Sequence, residues 1–250
     1  MLKYAPVEVT HSRTLPTPAR SAATSPAPTL ILCDFDDTAA DRNVATLLLD
    51  RFRPADAIHD WRHIRRQFHD GHISLAEYQE RSFAPVSTPL HDQAAHVRKA
   101  ARLRPGFREL AAYCAQHSIV IAIVSHGLDF YVQALLEGAG LTNVSYFAVR
   151  TGLENGSMTF HYDFARRECD WWPGNCKCSV LRQYTDAGYY TIYAGDGSSD
   201  ICPAQRADFV FARDTLLRFC QERGIPHQQL DDFHVVLDYL KNMTPRPEHD

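Results

Sequence analysis

Short apolar runs alternate along this chain with segments of helical periodicity. The first run, Leu30-Ile31-Leu32-Cys33, is long enough for a buried strand, and similar runs cover residues 118–124, 189–194 and 208–212, the last of these as the final strand of the core. Helical patterns between and after these runs cover residues 105–117, 128–139, 176–187, 215–223 and 231–240. Strands that alternate with helices predict an α/β fold with a doubly wound parallel sheet.

A second group of helical patterns interrupts this core. Amphipathic helices are predicted over residues 43–52, 56–68, 74–83 and 91–101. We therefore expect a small helical cap at 41–103, inserted into a core formed by 29–40 and 104–242. The alternating pattern at 143–164, with a turn at Glu154-Asn155-Gly156, predicts a β-hairpin.

The two ends of the chain have a different composition from the core. Residues 1–28 are rich in Pro, Ala, Ser and Thr and predict a disordered extension, with an organelle transit peptide as the alternative. Residues 243–250 predict a flexible tail.

Polar groups follow three of the predicted strands at the point where each strand ends. They are Asp34, Asp36, Asp37 and Thr38 after the first strand, Ser125, His126 and Gly127 after the second, and Asp196 and Asp200 after the third. Crowded carboxylates need a cation, hydrogen-bond donors or solvent. Each group alone is equally well explained as a helix cap or a solvated turn. Because parallel strands end at one edge of a sheet, we expect a single site there.

Lys177 lies in the first turn of a predicted helix, where a cation opposes the helix dipole. This unfavourable placement predicts an anionic partner elsewhere in the fold. Trp171 and Trp172, just before this helix, are predicted to pack against the core rather than to line a pocket.

Composition excludes several classes of protein. The net charge of −4 over 250 residues does not indicate nucleic-acid binding. No apolar run reaches the roughly 18 residues that a membrane span requires. Seven cysteines, an odd number, favour reduced thiols in a cytoplasmic protein over a disulfide framework. Zinc held by Cys169, Cys176 and Cys178 with His161 is the less favoured alternative, and His59 and His63 are predicted to be a solvated or packed pair.

The motifs at the strand ends resemble those of a known family. DFDDT at 34–38, Ser125, Lys177 and GDGSSD at 195–200 are similar to the four motifs of the haloacid dehalogenase-like phosphohydrolases, and the resemblance covers about residues 29–240. The segments LRPGF, SHGLDFY and CKCSVLRQY resemble the phosphoserine-phosphatase-like branch. Within that branch they are most similar to the methionine-salvage 2-hydroxy-3-keto-5-methylthiopentenyl-1-phosphate phosphatases.

The resemblance implies a role for each residue of the site. Asp34 is the implied nucleophile, which forms an aspartyl-phosphate, and Asp36 is the implied general acid and base. Mg²⁺ is implied between Asp34, Asp196 and the backbone carbonyl of Asp36, with Asp200 ordering a metal-bound water or Lys177. The implied phosphate-binding residues are Thr38, Ser125, His126, Gly127 and Lys177.

The resemblance thus implies a Mg²⁺-dependent phosphatase for a small-molecule phosphate monoester, from methionine salvage or specialised metabolism, acting as a monomer or homodimer. A phosphoserine phosphatase, a phosphotransferase and a non-catalytic phosphate-binding module on the same fold stay open as alternatives. Asn43 stands where phosphoserine phosphatases carry a glutamate that binds the substrate amine, which argues against phosphoserine.

Overall fold

A mostly parallel sheet forms the centre of the molecule. The computed structural model describes residues 27–154, 157–171 and 173–243, and the sheet in this part has seven strands. The strands are β1 (Thr29–Cys33), β2 (Val120–Leu128), β3 (Ser145–Glu154), β4 (Ser157–His161), β5 (Tyr190–Gly195), β6 (Phe209–Ala212) and β7 (His227–Gln229). Their order is β4-β3-β2-β1-β5-β6-β7, and every neighbouring pair is parallel except β3 with β4. The predicted α/β fold is confirmed.

Helices cover both faces of this sheet. They are α1 (Val44–Phe52), α2 (Ile58–His69), α3 (Leu75–Phe83), α4 (Leu90–Ala100), α5 (Phe107–Gln116), α6 (Asp129–Gly138), α7 (Lys177–Thr185), α8 (Ile201–Ala204), α9 (Asp214–Arg223) and α10 (His234–Asn242). Successive side chains of a strand point to opposite faces, so Ile31 and Cys33 of β1 join one buried cluster while Leu30 and Leu32 join the other. Central strand β1 is therefore buried on both sides, as its apolar run predicts.

Polar caps determine where two of the predicted helices begin. The Asn43 side chain accepts a hydrogen bond from Thr46 N at 2.8 Å before α1, and the Ser74 hydroxyl accepts one from Glu77 N at 3.1 Å before α3. Helices α1 to α4 lie where the insertion is predicted. The chain positions at its two ends meet in an antiparallel bridge between Ala40 and Leu103. The division into core and cap at 41–103 stays a prediction.

Two strand predictions are wrong. Strand β2 continues through Ser125-His126-Gly127 to Leu128, which pairs with Val149 after a shift in register. The polar residues of this segment predict the end of the strand. Backbone pairing instead places Ser125 inside β2 rather than at the start of α6. The second error is that β6 is not the last strand of the core, because β7 pairs with β6. Strand β7 is polar and only three residues long, so no apolar run predicts it.

The cysteine prediction is wrong for one pair. Cys178 at the start of α7 and Cys202 in α8 form a disulfide, with a Cα–Cα distance of 6.3 Å. A count of cysteines cannot show which helices pack together. The five remaining cysteines are free thiols. Across the described ranges, neither the cysteine group nor His59 and His63 assembles three ligands around a metal position.

Several predictions concern residues that the structure does not describe. The N-terminal extension, apart from residues 27 and 28, lies outside the described residues, as do hairpin-turn residues 155 and 156, Trp172 and tail residues 244–250. Within the described part, no helix combines the length and the apolar composition that a membrane crossing requires.

Candidate active site

The candidate site begins where β1 ends. Asp34 follows Cys33 directly, and its backbone N–H donates to the carbonyl of Ala194 in β5 at 2.8 Å. The next residues form the acidic loop (Phe35–Ala39), in which Asp37 adopts a φ of 60°. The backbone therefore turns sharply at the end of a rigid central strand, which fixes the Asp34 carboxylate at the carboxyl edge of the sheet.

Lys177 connects two carboxylates at this edge. Its Nζ lies 2.7 Å from Asp34 Oδ1 and 2.7 Å from Asp200 Oδ1, and only 2% of its side chain is exposed. Burial alone would lower the pKa of Lys177, but Asp200 and Asp34 together raise it, so the lysine stays protonated. The prediction that Lys177 has an anionic partner is confirmed, and it has two.

Asp200 is fully buried and accepts hydrogen bonds on both oxygens. Lys177 Nζ and the Tyr193 hydroxyl bond Oδ1 at 2.7 and 2.6 Å, while the N–H groups of Asp196 and Gly197 bond Oδ2 at 3.0 and 2.9 Å. Burial would raise the pKa of Asp200, but Lys177 and these donors hold it below its usual value. Asp200 therefore fixes the position of Lys177 and of the chain around Asp196.

Carboxylates from two strands converge beside Lys177. Oxygens of Asp34, Asp196 and Asp200 lie within 4.8 Å of one another. Burial and the nearby Asp200 raise the pKa of Asp34 well above its usual value, and burial and Asp200 also raise that of Asp196. The three carboxylates therefore repel one another even though Lys177 lies between them, and a divalent cation would relieve this repulsion. Carboxylate oxygens are hard ligands, which Mg²⁺ prefers. The donor set therefore fits a magnesium ion.

The Asp36 carboxylate points to a different environment. It accepts hydrogen bonds from Val44 N at 2.7 Å and from the Tyr131 hydroxyl at 2.8 Å. Burial raises the pKa of Asp36 to about 6, while these two bonds oppose the rise. Asp36 can thus hold or release a proton near neutral pH. Sequence reasoning missed Tyr131, although it belongs to the quoted segment SHGLDFY.

Two of the predicted phosphate-binding residues bond to each other. The Ser125 hydroxyl oxygen accepts a hydrogen bond from Gly127 N at 2.8 Å, so this N–H has an acceptor within the protein. Thr38 donates its hydroxyl to Asp196 Oδ1 at 2.7 Å, which joins the acidic loop to β5. In this arrangement Thr38 orients a carboxylate rather than facing open space.

A cavity of about 280 Å³ lies over these groups. Of the predicted site residues, the cavity wall includes Asp34, Asp36, Ser125, His126, Gly127, Lys177 and Asp196. Thr38 and Asp200 lie behind this wall. Trp171 also lines the cavity, with its ring 5.4 Å from that of His126, so the prediction that it packs against the core is wrong.

The opposite wall comes from residues 43–83. It includes Asn43, Ala45, Thr46, Leu49, Leu75, Tyr78, Gln79, Ser82 and Phe83. None of these side chains carries a charge. Sequence reasoning could not choose among the residues of the insertion, because helical periodicity does not show which face meets the carboxyl edge of the sheet.

Comparisons with known proteins agree with this geometry. The sequence profile of the haloacid dehalogenase-like hydrolase family matches residues 31–205. A 2-hydroxy-3-keto-5-methylthiopentenyl-1-phosphate phosphatase of Geobacillus kaustophilus is 32% identical over 216 residues, which cover 86% of this chain and 96% of that protein. A protein of the same name from Bacillus cereus is 29% identical over 85% of this chain and 96% of its own length.

The fold is also shared with solved structures. A substrate-bound phosphoserine phosphatase superposes with a TM-score of 0.62 at 19% identity, covering 85% of this chain and 98% of that one. The chain therefore belongs to the haloacid dehalogenase-like hydrolases, and within them it is a phosphatase.

Proposed function

We propose that the protein is a Mg²⁺-dependent phosphatase that hydrolyses a small phosphate monoester with an uncharged organic part, through an aspartyl-phosphate on Asp34. The observation that carries this proposal is the placement of Asp34 and Asp36 on the wall of one cavity, with the Lys177 ammonium 2.7 Å from Asp34 Oδ1. A nucleophile, a proton donor and a cation for the phosphoryl oxygens thus meet at one point.

The first step is attack of an Asp34 oxygen on phosphorus. The new bond joins Asp34 to the phosphoryl group as the bond to the ester oxygen breaks. Lys177 is held by Asp200 on its other side, so it is already in place to balance the phosphoryl charge and needs no reorganisation during the reaction.

Asp36 supplies and then removes a proton. A leaving alkoxide needs a proton, and a carboxyl group with a pKa of about 6 can donate one. In the second step the same carboxylate takes a proton from the water that attacks the aspartyl-phosphate, which restores Asp34. Val44 N and the Tyr131 hydroxyl hold the orientation of Asp36 throughout.

The proposed Mg²⁺ ligands are Asp34, Asp196 and the backbone carbonyl of Asp36. Asp200 is a poorer candidate because donors already occupy both of its oxygens. When bound, the cation offsets the repulsion between an anionic nucleophile and an anionic phosphate ester.

The uncharged wall from residues 43–83 supports an uncharged organic part of the substrate. Phosphoserine carries an ammonium and a carboxylate, and burying either without a charged partner is costly. A ketone, hydroxyl or thioether chain matches a wall of amide, hydroxyl and apolar groups. The curated relatives, named for a 2-hydroxy-3-keto-5-methylthiopentenyl phosphate, point to the same kind of molecule. We propose a substrate of this class.

Replacement of the nucleophile tests the proposal. Asp34→Asn should lower phosphate release from p-nitrophenyl phosphate with Mg²⁺ by at least about 10³-fold, because an amide cannot form the phosphoryl intermediate. Asp50→Asn on the exposed surface of α1 is the matched control and should keep full activity. A chelator should remove the activity of the unsubstituted protein.

Turnover that survives in Asp34→Asn would rule out the proposal. Adding an alcohol separates a hydrolase from a phosphotransferase, because a transferase would convert the alcohol into a new phosphate ester instead of releasing phosphate.

A further inference from the structure

The cavity wall contains buried polar atoms that have no partner in the protein. They are Gln79 Oε1, Ser82 Oγ and His126 Nε2, and all three residues line the cavity. The Gln79 and Ser82 residues are only 7% and 1% exposed. An unsatisfied buried polar atom lowers stability, so native proteins keep few of them. Three of them around one cavity indicate that a ligand supplies the missing bonds.

One hydrogen bond fixes the orientation of the Gln79 amide. Its Nε2 donates to the backbone carbonyl of His126 at 2.5 Å, which joins α3 to β2. The amide oxygen is therefore the atom without a partner, and it can only accept. Ser82 lies three residues further along α3, so it shares this face of the helix.

The His126 ring also presents an acceptor. Its Nε2 is buried without a hydrogen-bond partner, while the backbone of Asn175 raises the pKa of the ring. Burial lowers the pKa of His126 to about 3, and Lys177 contributes to the lowering. The imidazole is thus neutral, and we assign its proton to Nδ1, which leaves a lone pair on Nε2.

We propose that Gln79, Ser82 and His126 form a subsite for a hydroxyl or enol group on the carbon chain of the substrate. Two acceptors and one hydroxyl match an O–H donor, whereas a carboxylate would meet lone pairs on two sides. An ammonium would have to be buried in this subsite without a carboxylate of its own. The inference rests on the proposed phosphatase function and adds the group that the enzyme recognises beyond the phosphate.

A pair of esters that differ only in their hydroxyl groups provides the test. With Mg²⁺ present, kcat/KM is measured for glycerol 1-phosphate and for propyl phosphate. The unsubstituted protein should prefer glycerol 1-phosphate by about 10-fold to 100-fold. When propyl phosphate is bound, the polar atoms of the subsite have no hydrogen-bond partner. Gln79→Leu and Ser82→Ala should each reduce this preference several-fold, because each removes a partner of the substrate hydroxyl.

Gln93 provides a matched control. It is a buried glutamine that donates to a backbone carbonyl at 2.8 Å and has an unpartnered Oε1, but it does not line the cavity. Gln93→Leu should alter stability and leave the preference intact.

An equal preference in the unsubstituted protein and in both subsite variants would overturn the inference. Because Ser82→Ala removes a single oxygen atom, its result decides the case if Gln79→Leu does not fold. Release of phosphate from both esters without discrimination would overturn the subsite and leave the proposed function standing. Release from neither ester, nor from p-nitrophenyl phosphate, would overturn both.

Discussion

Lys177 shows how single residues in this site depend on groups that are distant in the chain. Its two carboxylate partners, Asp34 and Asp200, lie 143 and 23 positions away in sequence. A lysine at a helix start signals only that some anion must compensate it. Packing of α7 against the carboxyl edge of the sheet decides which anion that is, and it places Lys177 between two carboxylates.

The half-buried His126 makes stability depend on pH. Its pKa of about 3 in the folded protein lies below the ordinary value of 6.5, so between these values only the unfolded chain binds the proton. Stability is therefore lost as the pH falls below about 6.5, by about 1.4 kcal/mol per pH unit. The contribution of Asp36 to the pH dependence of stability has the opposite sign. Its pKa is raised in the folded protein, so protonation of Asp36 favours the folded state as the pH falls toward 4.

A single substitution separates the contribution of His126 to this pH dependence from the contributions of the carboxylates. His126→Gln removes the titrating ring, so the difference in free energy of unfolding between it and the unsubstituted protein should narrow or reverse between pH 7 and pH 5. Urea unfolding at each pH measures this difference. A constant difference across that range would contradict a neutral buried imidazole.

The strand ends supplied the part of the site that sequence could predict. The apolar runs are followed closely by Asp34, Asp36 and Asp196. An apolar run followed by carboxylates can be recognised from the sequence alone. Tyr131, Gln79 and the other partners from helices are not, because each reaches the site only through the packing of a helix face. Ordinary polar residues of this kind also cover most exposed helices.

At the scale of elements, the acidic loop depends on one arginine. Arg104 donates through Nε to the carbonyl of Thr38 at 2.8 Å and through a terminal nitrogen to that of Asp37 at 2.7 Å. These bonds hold a loop in which Asp37 has a positive φ, a conformation that costs a non-glycine residue about 1 kcal/mol or more. Arg104, just after the predicted helical insertion, thus stabilises the turn beside the proposed nucleophile.

A glycine at the end of β2 allows the Asp36 carboxylate and its partner to meet. A Cβ at Gly127 would collide with the Tyr131 hydroxyl and lie 2.8 Å from Asp36 Oδ2. Gly127→Ala should therefore displace Asp36, the proposed general acid, and lower kcat by about 10²-fold, the lower end of the contribution of such a group. Steady-state kinetics with p-nitrophenyl phosphate measures the effect.

Gly138 in α6 is the matched control for this substitution. The nearest atom to a Cβ there is Arg98 Cγ at 3.4 Å, which is an ordinary contact. Gly138→Ala should leave kcat unchanged. Equal activity in both alanine variants would show that the Tyr131–Asp36 contact has no part in the reaction.

Element boundaries were predicted least well where polarity and backbone pairing disagree. The runs at 118–124 and 208–212 identified β2 and β6 because their apolar side chains are buried or half-buried. The extension of β2 to Leu128 and the edge strand β7 follow from backbone hydrogen bonds to neighbouring strands. Backbone pairing leaves little trace in side-chain composition, so no hydropathy pattern would have revealed either.

At the scale of the whole molecule, the sheet topology explains the location of the site. Strand β1 lies between β2 and β5, and the chain reaches these neighbours in opposite directions along the sheet. Such a switch in strand order leaves a crevice beyond the carboxyl ends of the strands. Ser125, Asp34 and Asp196 come from these three strands, so a fold-level rule brings together residues that are remote in sequence.

Because of this convergence, the proposed Mg²⁺ binding can be measured through the stability of the fold. Asp34 and Asp196 approach each other only in the native state, so the unfolded chain should bind Mg²⁺ far more weakly. A ligand that binds the folded protein alone stabilises it by about 2.7 kcal/mol at 100 times its dissociation constant. For a domain of this size, that corresponds to a rise in Tm of roughly 5–10 °C. Calorimetric scans with and without Mg²⁺ measure the shift.

Two variants then distinguish the site from a general salt effect. Asp196→Asn removes a proposed ligand and relieves part of the carboxylate repulsion, so it should raise the Tm of the metal-free protein and abolish the response to Mg²⁺. Asp214→Asn, which replaces an exposed carboxylate paired with Arg213, should leave the response intact because exposed pairs contribute little. If Asp196→Asn kept the full Mg²⁺ shift, the cation would bind elsewhere, and the carboxylate cluster would have to be stabilised by Lys177 and bound protons alone.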